Sequence, residues 1–217
     1  MRERIGIMGG TFDPVHNGHL AVAASVAKQL DLDCVLFIPT GNPNFKQGLK
    51  IAPASERAHM VALAIEDEPL FQLDLREVER PGVTYTADTL EELTRCHEGA
   101  QLFFIMGTDS ALTLPGWKRA EDVARLCTVV VAKRPGQSTR QVREVLAASL
   151  LDFDVVYLDV PQVDVSSTQL RERIAQGRDV SDMIPASVMA YIDQTGLYQD
   201  VSGGQAPWHI EREGLRA

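Results

Sequence analysis

The chain has 217 residues, a formal net charge of −9, 45% hydrophobic residues and 24% charged ones. That length and balance fit one globular domain with a true core, and the acidity argues against a nucleic-acid partner. No apolar run approaches the roughly 18 residues of a membrane span. The spacing of Cys34, Cys96 and Cys127 suits no metal, and Cys34 and Cys127 read as small core residues. With a strand expected at the very start and no signal peptide before it, a reduced cytoplasmic location is expected.

Apolar runs alternate with helical patterns along the chain. Residues 4–8 read as a strand and 18–30 as a helix, with Leu20, Ala23, Ala24 and Ala27 on one face. A second strand over 34–38 is stopped by Pro39, and a second helix covers 53–65. Strands are expected at 71–75, 102–106, 128–132 and 155–158, and helices at 86–96, 137–149, 169–175 and 185–194. Thr89 and Glu92 have the spacing of a capping box. This alternation predicts an α/β fold: a single Rossmann-like domain, mostly parallel and doubly wound, with helices on both faces. There is no internal repeat and no linker, so the domain is expected over 1–200, with 201–217 a mobile tail. Ligands of such sheets bind beyond the carboxyl ends of the strands. That edge is where 9–20, Asn42–Lys46, Gly107–Asp109 and Arg134 would meet.

The first of these stretches is the most informative: Gly9-Gly10-Thr11-Phe12-Asp13-Pro14-Val15-His16-Asn17-Gly18-His19. Two glycines let backbone approach a ligand. Pro14 holds off the helix, which is expected to begin near Asn17 with its free N–H groups turned back into the stretch. His16 and His19 would share one face of that helix start. Imidazoles, N–H groups and glycines in one small volume suit a phosphate. Neither the Gly-x-Gly-x-x-Gly fingerprint nor Gly-x-x-x-x-Gly-Lys-Ser/Thr occurs.

This stretch resembles the signature of the nucleotidyltransferase superfamily with the His-x-Gly-His motif. Tyr85-Thr86-Ala87-Asp88-Thr89-Leu90 resembles the segment that marks bacterial nicotinate-nucleotide adenylyltransferases within it. Read locally, the same segment is a turn and a helix capped by Thr86 or Asp88. Gly107-Thr108-Asp109, Lys133-Arg134-Pro135-Gly136 and Ser166-Ser167-Thr168-Gln169-Leu170-Arg171 are similar to further family motifs. Ser166 and Gln169 also form a plain capping box. The resemblance covers about residues 4–198. It departs after the second strand, where Asn42-Pro43-Asn44-Phe45-Lys46 stands in place of Pro-Pro-His-Lys: Lys46 is kept, but Phe45 replaces the usual histidine.

The resemblance implies transfer of adenylate from ATP to nicotinate mononucleotide, giving deamido-NAD and pyrophosphate. It makes His16, His19 and Lys46 the catalytic residues. Gly9, Gly10, Thr11, Phe12, His16, His19, Gly107, Asp109, Arg134, Ser167, Thr168 and Arg171 would bind ATP. Tyr85, Thr86, Trp117, Lys118, Asn42 and Lys46 would bind the mononucleotide, with Trp117 stacked on the pyridine ring. Magnesium would be held mainly by the ATP phosphates, since no carboxylate cluster suggests a cage. Partners would be the two nucleotides, with no nucleic acid or membrane, and homo-oligomerisation is left open. The rival readings are the same chemistry on nicotinamide mononucleotide or phosphopantetheine, and a nucleotide-binding sensor without catalysis.

Overall fold

The strands run side by side because their apolar residues alternate between two covered faces. A computed structural model of the protein describes residues 2–42 and 51–199. Six strands form one sheet: β1 (Arg4–Gly10), β2 (Cys34–Pro39), β3 (Phe71–Leu73), β4 (Gln101–Gly107), β5 (Thr128–Lys133) and β6 (Val155–Asp159). Their order is β3-β2-β1-β4-β5-β6, and every pairing is parallel. This is the doubly wound order whose switch point lies between β1 and β4.

Along β2, Val35 and Phe37 face one layer while Cys34, Leu36 and Ile38 face the other. The first layer is closed by α1 (Asn17–Gln29), α2 (Ala54–Ile65), α8 (Ser167–Ala175) and α9 (Ala186–Thr195). The second is closed by α4 (Thr86–Cys96), α5 (Thr108–Thr113), α6 (Ala120–Leu126) and α7 (Arg140–Ala148). Phe37, Val129 and Val131 are wholly enclosed, and each such side chain contributes about 1.5–3 kcal/mol of transfer free energy.

Several local expectations need correction. Gly9 and Gly10 are not turn residues but the end of β1, paired with Ile38 and Pro39. The third strand stops at Leu73, because Asp74 accepts the Arg76 N–H at 2.9 Å and starts a short helix, α3 (Arg76–Glu79). The seventh helix begins at Arg140 rather than 137, since Gln137 is held in the preceding turn by Arg134. Thr89 does not begin a capping box. The helix starts at Thr86 with Tyr85 as its cap, and Thr89 donates its hydroxyl to buried Glu77 at 2.7 Å. Neither Thr86 nor Asp88 caps that helix; Asp88 pairs with Arg119 at 2.7 Å. Ser166 does cap α8, accepting the Gln169 N–H at 3.2 Å. Lys46 and Phe45, and the tail 201–217, lie outside the described residues.

Candidate active site

A cleft of about 540 Å³ opens where β1 and β4 diverge at their carboxyl ends. Met8 and Gly9 from β1 line it beside Phe104 to Gly107 from β4. His16, Gly18 and His19 enter from the start of α1, and Arg134 and Gln137 from the loop after β5. Trp117 and the stretch Val160–Val165 supply further walls. Of the expected site residues, the cleft brings together Gly9, His16, His19, Gly107, Asp109, Trp117 and Arg134.

The two imidazoles stack with ring centroids 3.7 Å apart. His16 is the N-cap of α1 and is only 7% exposed. Its backbone N–H donates to His19 Nδ1 at 3.2 Å. A neutral His19 with Nδ1 accepting carries its proton on Nε2, which makes that nitrogen a donor. Burial pushes the His16 pKa down to about 4. Burial, and then repulsion from His16, hold His19 well below the ordinary histidine value. Both rings are therefore neutral near pH 7, and stacking two uncharged rings carries no like-charge penalty.

The helix start is less open than the sequence suggests. Asn17 N–H donates to Met183 O at 3.0 Å and His19 N–H to His16 O at 2.9 Å. Among the described residues this leaves Gly18 N–H as the first-turn donor without a protein acceptor. Gly18 is also required for close packing: a Cβ there would sit 3.0 Å from His16 Nδ1 and 3.0 Å from Val165 Cγ1.

Other expected residues shape the site without lining the cleft. The Phe12 ring, at a backbone φ of 50°, stands edge-on to His19 with centroids 5.0 Å apart. Gly10 lies against the same ring, 3.1 Å from where its Cβ would be. Thr11 offers its carbonyl to Arg57. Ser167 Oγ donates to Pro14 O at 2.9 Å. Arg171 donates to Asp13 O at 2.6 Å and to Thr168 Oγ1 at 3.3 Å. The start of α8 thus braces the Asp13–Pro14 turn, and Arg171 is engaged there. Arg134 is exposed, 3.7 Å from Asp164.

The expected mononucleotide residues fall apart into two groups. Trp117 lies on the cleft wall, its indole N–H donating to Thr113 Oγ1 at 3.1 Å and its ring edge-on to Phe104. Tyr85, Thr86, Lys118 and Asn42 are not part of the cleft lining. Arg119 ties the two regions together: it binds Asp88 at 2.7 Å and Glu91 on α4, and Asp122 on α6 at 2.6 Å. That holds the Trp117 loop against the helix that begins at Thr86.

The sequence reading missed Thr108, Gln137 and Arg57. Gln137 Nε2 donates to Thr108 Oγ1 at 2.9 Å, and Gln137 Oε1 accepts the Arg134 N–H at 3.2 Å, joining two loops of the cleft. Arg57 is 1% exposed and bonded entirely to backbone carbonyls. Its signal was spacing: with Val61 and Ile65 it occupies the apolar face of α2. Among the described residues no group of three or more His, Cys, Asp or Glu is placed to hold a metal ion, and no helix is long and apolar enough to cross a membrane.

A parallel sheet in this order, with neutral donors gathered at its switch point, defines a nucleotide-binding α/β protein, and the cytidylyltransferase-like family matches residues 7–173. A Dehalococcoides mccartyi protein named "Probable nicotinate-nucleotide adenylyltransferase" is 45% identical over 198 residues, 90% of this chain and 97% of its own. A protein of the same name from Acidothermus cellulolyticus is 40% identical over 209 residues, 94% of this chain and 98% of its own. The chain belongs to the nicotinate-nucleotide adenylyltransferase family. Its fold is similar to that of Plasmodium falciparum nicotinic acid mononucleotide adenylyltransferase complexed with NaAD. The TM-score is 0.74 at 19% identity, covering 91% of this chain and 98% of the other.

Proposed function

We propose that the protein joins ATP and nicotinate mononucleotide, giving nicotinate adenine dinucleotide and pyrophosphate. The observation that carries this reading is the pair of neutral, stacked histidines at the β1–β4 switch point, in a chain of this family. The mononucleotide phosphate attacks the α-phosphorus of ATP in line, and pyrophosphate leaves. The attacking oxygen is already an anion, so no protein nucleophile is needed, and catalysis is alignment and stabilisation of charge.

His19 Nε2–H and the Gly18 N–H would donate toward phosphate oxygens in the cleft. Arg134 supplies a cation at its rim, and Lys46 is a second candidate, from outside the described residues. Asp109 suits the ribose hydroxyls as an acceptor. Trp117 is the stacking plane for the pyridine ring, and the Thr86 N–H at the start of α4 is a donor for its carboxylate. Magnesium held by the ATP phosphates would supply positive charge there.

Selecting the acid needs donors aimed at a carboxylate; an amide NH₂ would meet another donor and leave both unpaired. A discrimination of about 2–4 kcal/mol from one or two charge-assisted bonds is expected, or roughly 30-fold or more in kcat/KM. Pyrophosphate release, measured with ATP and each mononucleotide in turn, tests the reading. Equal kcat/KM for acid and amide would remove the nicotinate assignment, and no release with either would favour a non-catalytic sensor.

A further inference from the structure

Arg57 is the largest fully buried side chain of the described residues, and nothing in the reaction uses it. Its guanidinium reaches three separate pieces of chain. Nε donates to Ala52 O at 2.9 Å, and Nη1 to Thr11 O at 2.6 Å. Nη2 donates to Thr40 O at 2.6 Å and Gly41 O at 3.1 Å. These carbonyls belong to the turn after β1, the end of the run after β2, and the approach to α2. All are irregular backbone, which cannot satisfy itself by a ladder or a helix. A planar fork with five fixed donors suits such a task; an ammonium does not.

The turn it holds touches the histidines directly. Phe12 follows Thr11, and its ring packs edge-on against His19. Asp13 is 1% exposed and accepts the Ala52 N–H at 3.1 Å and the Tyr198 hydroxyl at 2.7 Å, so the same turn is pinned from a second side. A guanidinium inside a protein is costly to desolvate, and an apolar side chain would fill a core site as well. Its use here is geometric.

We propose that Arg57 is a positioning residue for adenylyl transfer: by binding the Thr11, Thr40, Gly41 and Ala52 carbonyls it fixes the Phe12 turn, and through it the His19 ring. The proposal rests on the function above for its chemistry, and its test has a readout that does not. Arg57→Lys keeps the charge and bulk but cannot span four carbonyls. Leu93→Ala, a cavity in the opposite core layer on α4, is the control for lost stability alone. Both variants are assayed well below their melting temperatures, for kcat and for the affinity of a non-hydrolysable ATP analogue.

Arg57→Lys should lose at least about tenfold in kcat, the scale of a catalytic group displaced by a fraction of an ångström. Leu93→Ala, with a comparable drop in melting temperature, should keep kcat and analogue affinity within about twofold, as expected for a change remote from the site. A loss in either quantity that is confined to Arg57→Lys supports positioning. If the two variants behave alike in both, Arg57 is only structural and the proposal falls. If the wild-type protein binds the analogue but releases no pyrophosphate, the proposed function fails while the Arg57 comparison is still read from affinity. If it binds no analogue, both fail.

Discussion

Gly18→Ala tests whether the geometry of the histidine pair matters. Gly18 lies in the first turn of α1, where its backbone is helical, so alanine should favour the helix by about 0.5–1 kcal/mol. Against that stand two contacts. The new methyl would meet His16 Nδ1 at 3.0 Å, His16 Cε1 at 3.1 Å and Val165 Cγ1 at 3.0 Å, where ordinary contact begins at 3.4 Å. One neighbour must give by about 0.4 Å, at a cost of roughly 1–3 kcal/mol for an overpacked site. His16 cannot simply retreat, because His19 stacks on it at 3.7 Å. The two terms partly cancel in stability, leaving a net loss of roughly 0–2.5 kcal/mol.

They do not cancel in turnover. If His16 and His19 yield together, the Nε2–H donor of His19 moves away from its phosphate oxygen. A misplacement of 1 Å costs about 100-fold, so a few tenths of an ångström should lower kcat by roughly tenfold. Pyrophosphate release at saturating substrates, paired with a thermal melt, measures the two effects separately. A stable variant that turns over within about twofold of wild type would show that Val165 absorbs the methyl or that the imidazole pair is not used, and either result refutes the reasoning.

Protonation gives an independent check on the same pair. With the His16 pKa held at about 4 in the folded chain against 6.5 unfolded, the unfolded state takes up a proton that the folded state refuses. Stability from this histidine is therefore intact above pH 6.5 and falls as the pH drops toward 4, by roughly 3 kcal/mol in all; chemical denaturation across that range measures it. The His16 and His19 imidazole resonances should not titrate between pH 8 and about 5.5, and a ring titrating near its ordinary value would contradict the buried neutral pair. Trp117→Ala should weaken both mononucleotides by about three- to tenfold, the value of one aromatic contact, and leave ATP nearly untouched; unchanged mononucleotide KM would remove its stacking role.

The sheet was legible in the sequence because every strand but one carries an apolar run of four or more residues bounded by polar or turn residues. The exception, β3, has only three residues and was drawn too long. The short helices α3 and α6 escaped because four to seven residues make too few turns to show a period. At the site, His16 and His19 were legible as a pair, since three residues at a helix start fix a shared face. Their neutrality was not, because it depends on burial, and part of their surroundings, Val165 and Met183 among them, lies far off in sequence. Arg57 was hidden for a similar reason. Arginine is almost never fully buried, and its acceptors assemble only when three loops meet. The motif residues Ser167 and Arg171 were found by resemblance, but their grip on Pro14 and Asp13 is a tertiary fact.

That grip changes the charge balance of the site and sharpens the last prediction. Three arginines that could have served a triphosphate are engaged elsewhere. Arg57 binds carbonyls, Arg171 binds the Asp13 carbonyl and lies 3.6 Å from its carboxylate, and Arg119 is surrounded by Asp88, Glu91 and Asp122. The described lining of the cleft retains Arg134 at its rim, with two imidazoles that carry no charge at neutral pH. In a chain of net charge −9, neutral donors can orient a polyphosphate but cannot offset its charge. A divalent cation travelling with the nucleotide would supply that charge. Chelation with EDTA should therefore abolish pyrophosphate release, and added Mg²⁺ should restore it. Arg134 alone cannot carry that charge, so Arg134→Ala should weaken ATP by only about tenfold while the metal requirement persists. Full activity in chelator would place the missing charge on side chains instead, with Lys46 the first to substitute.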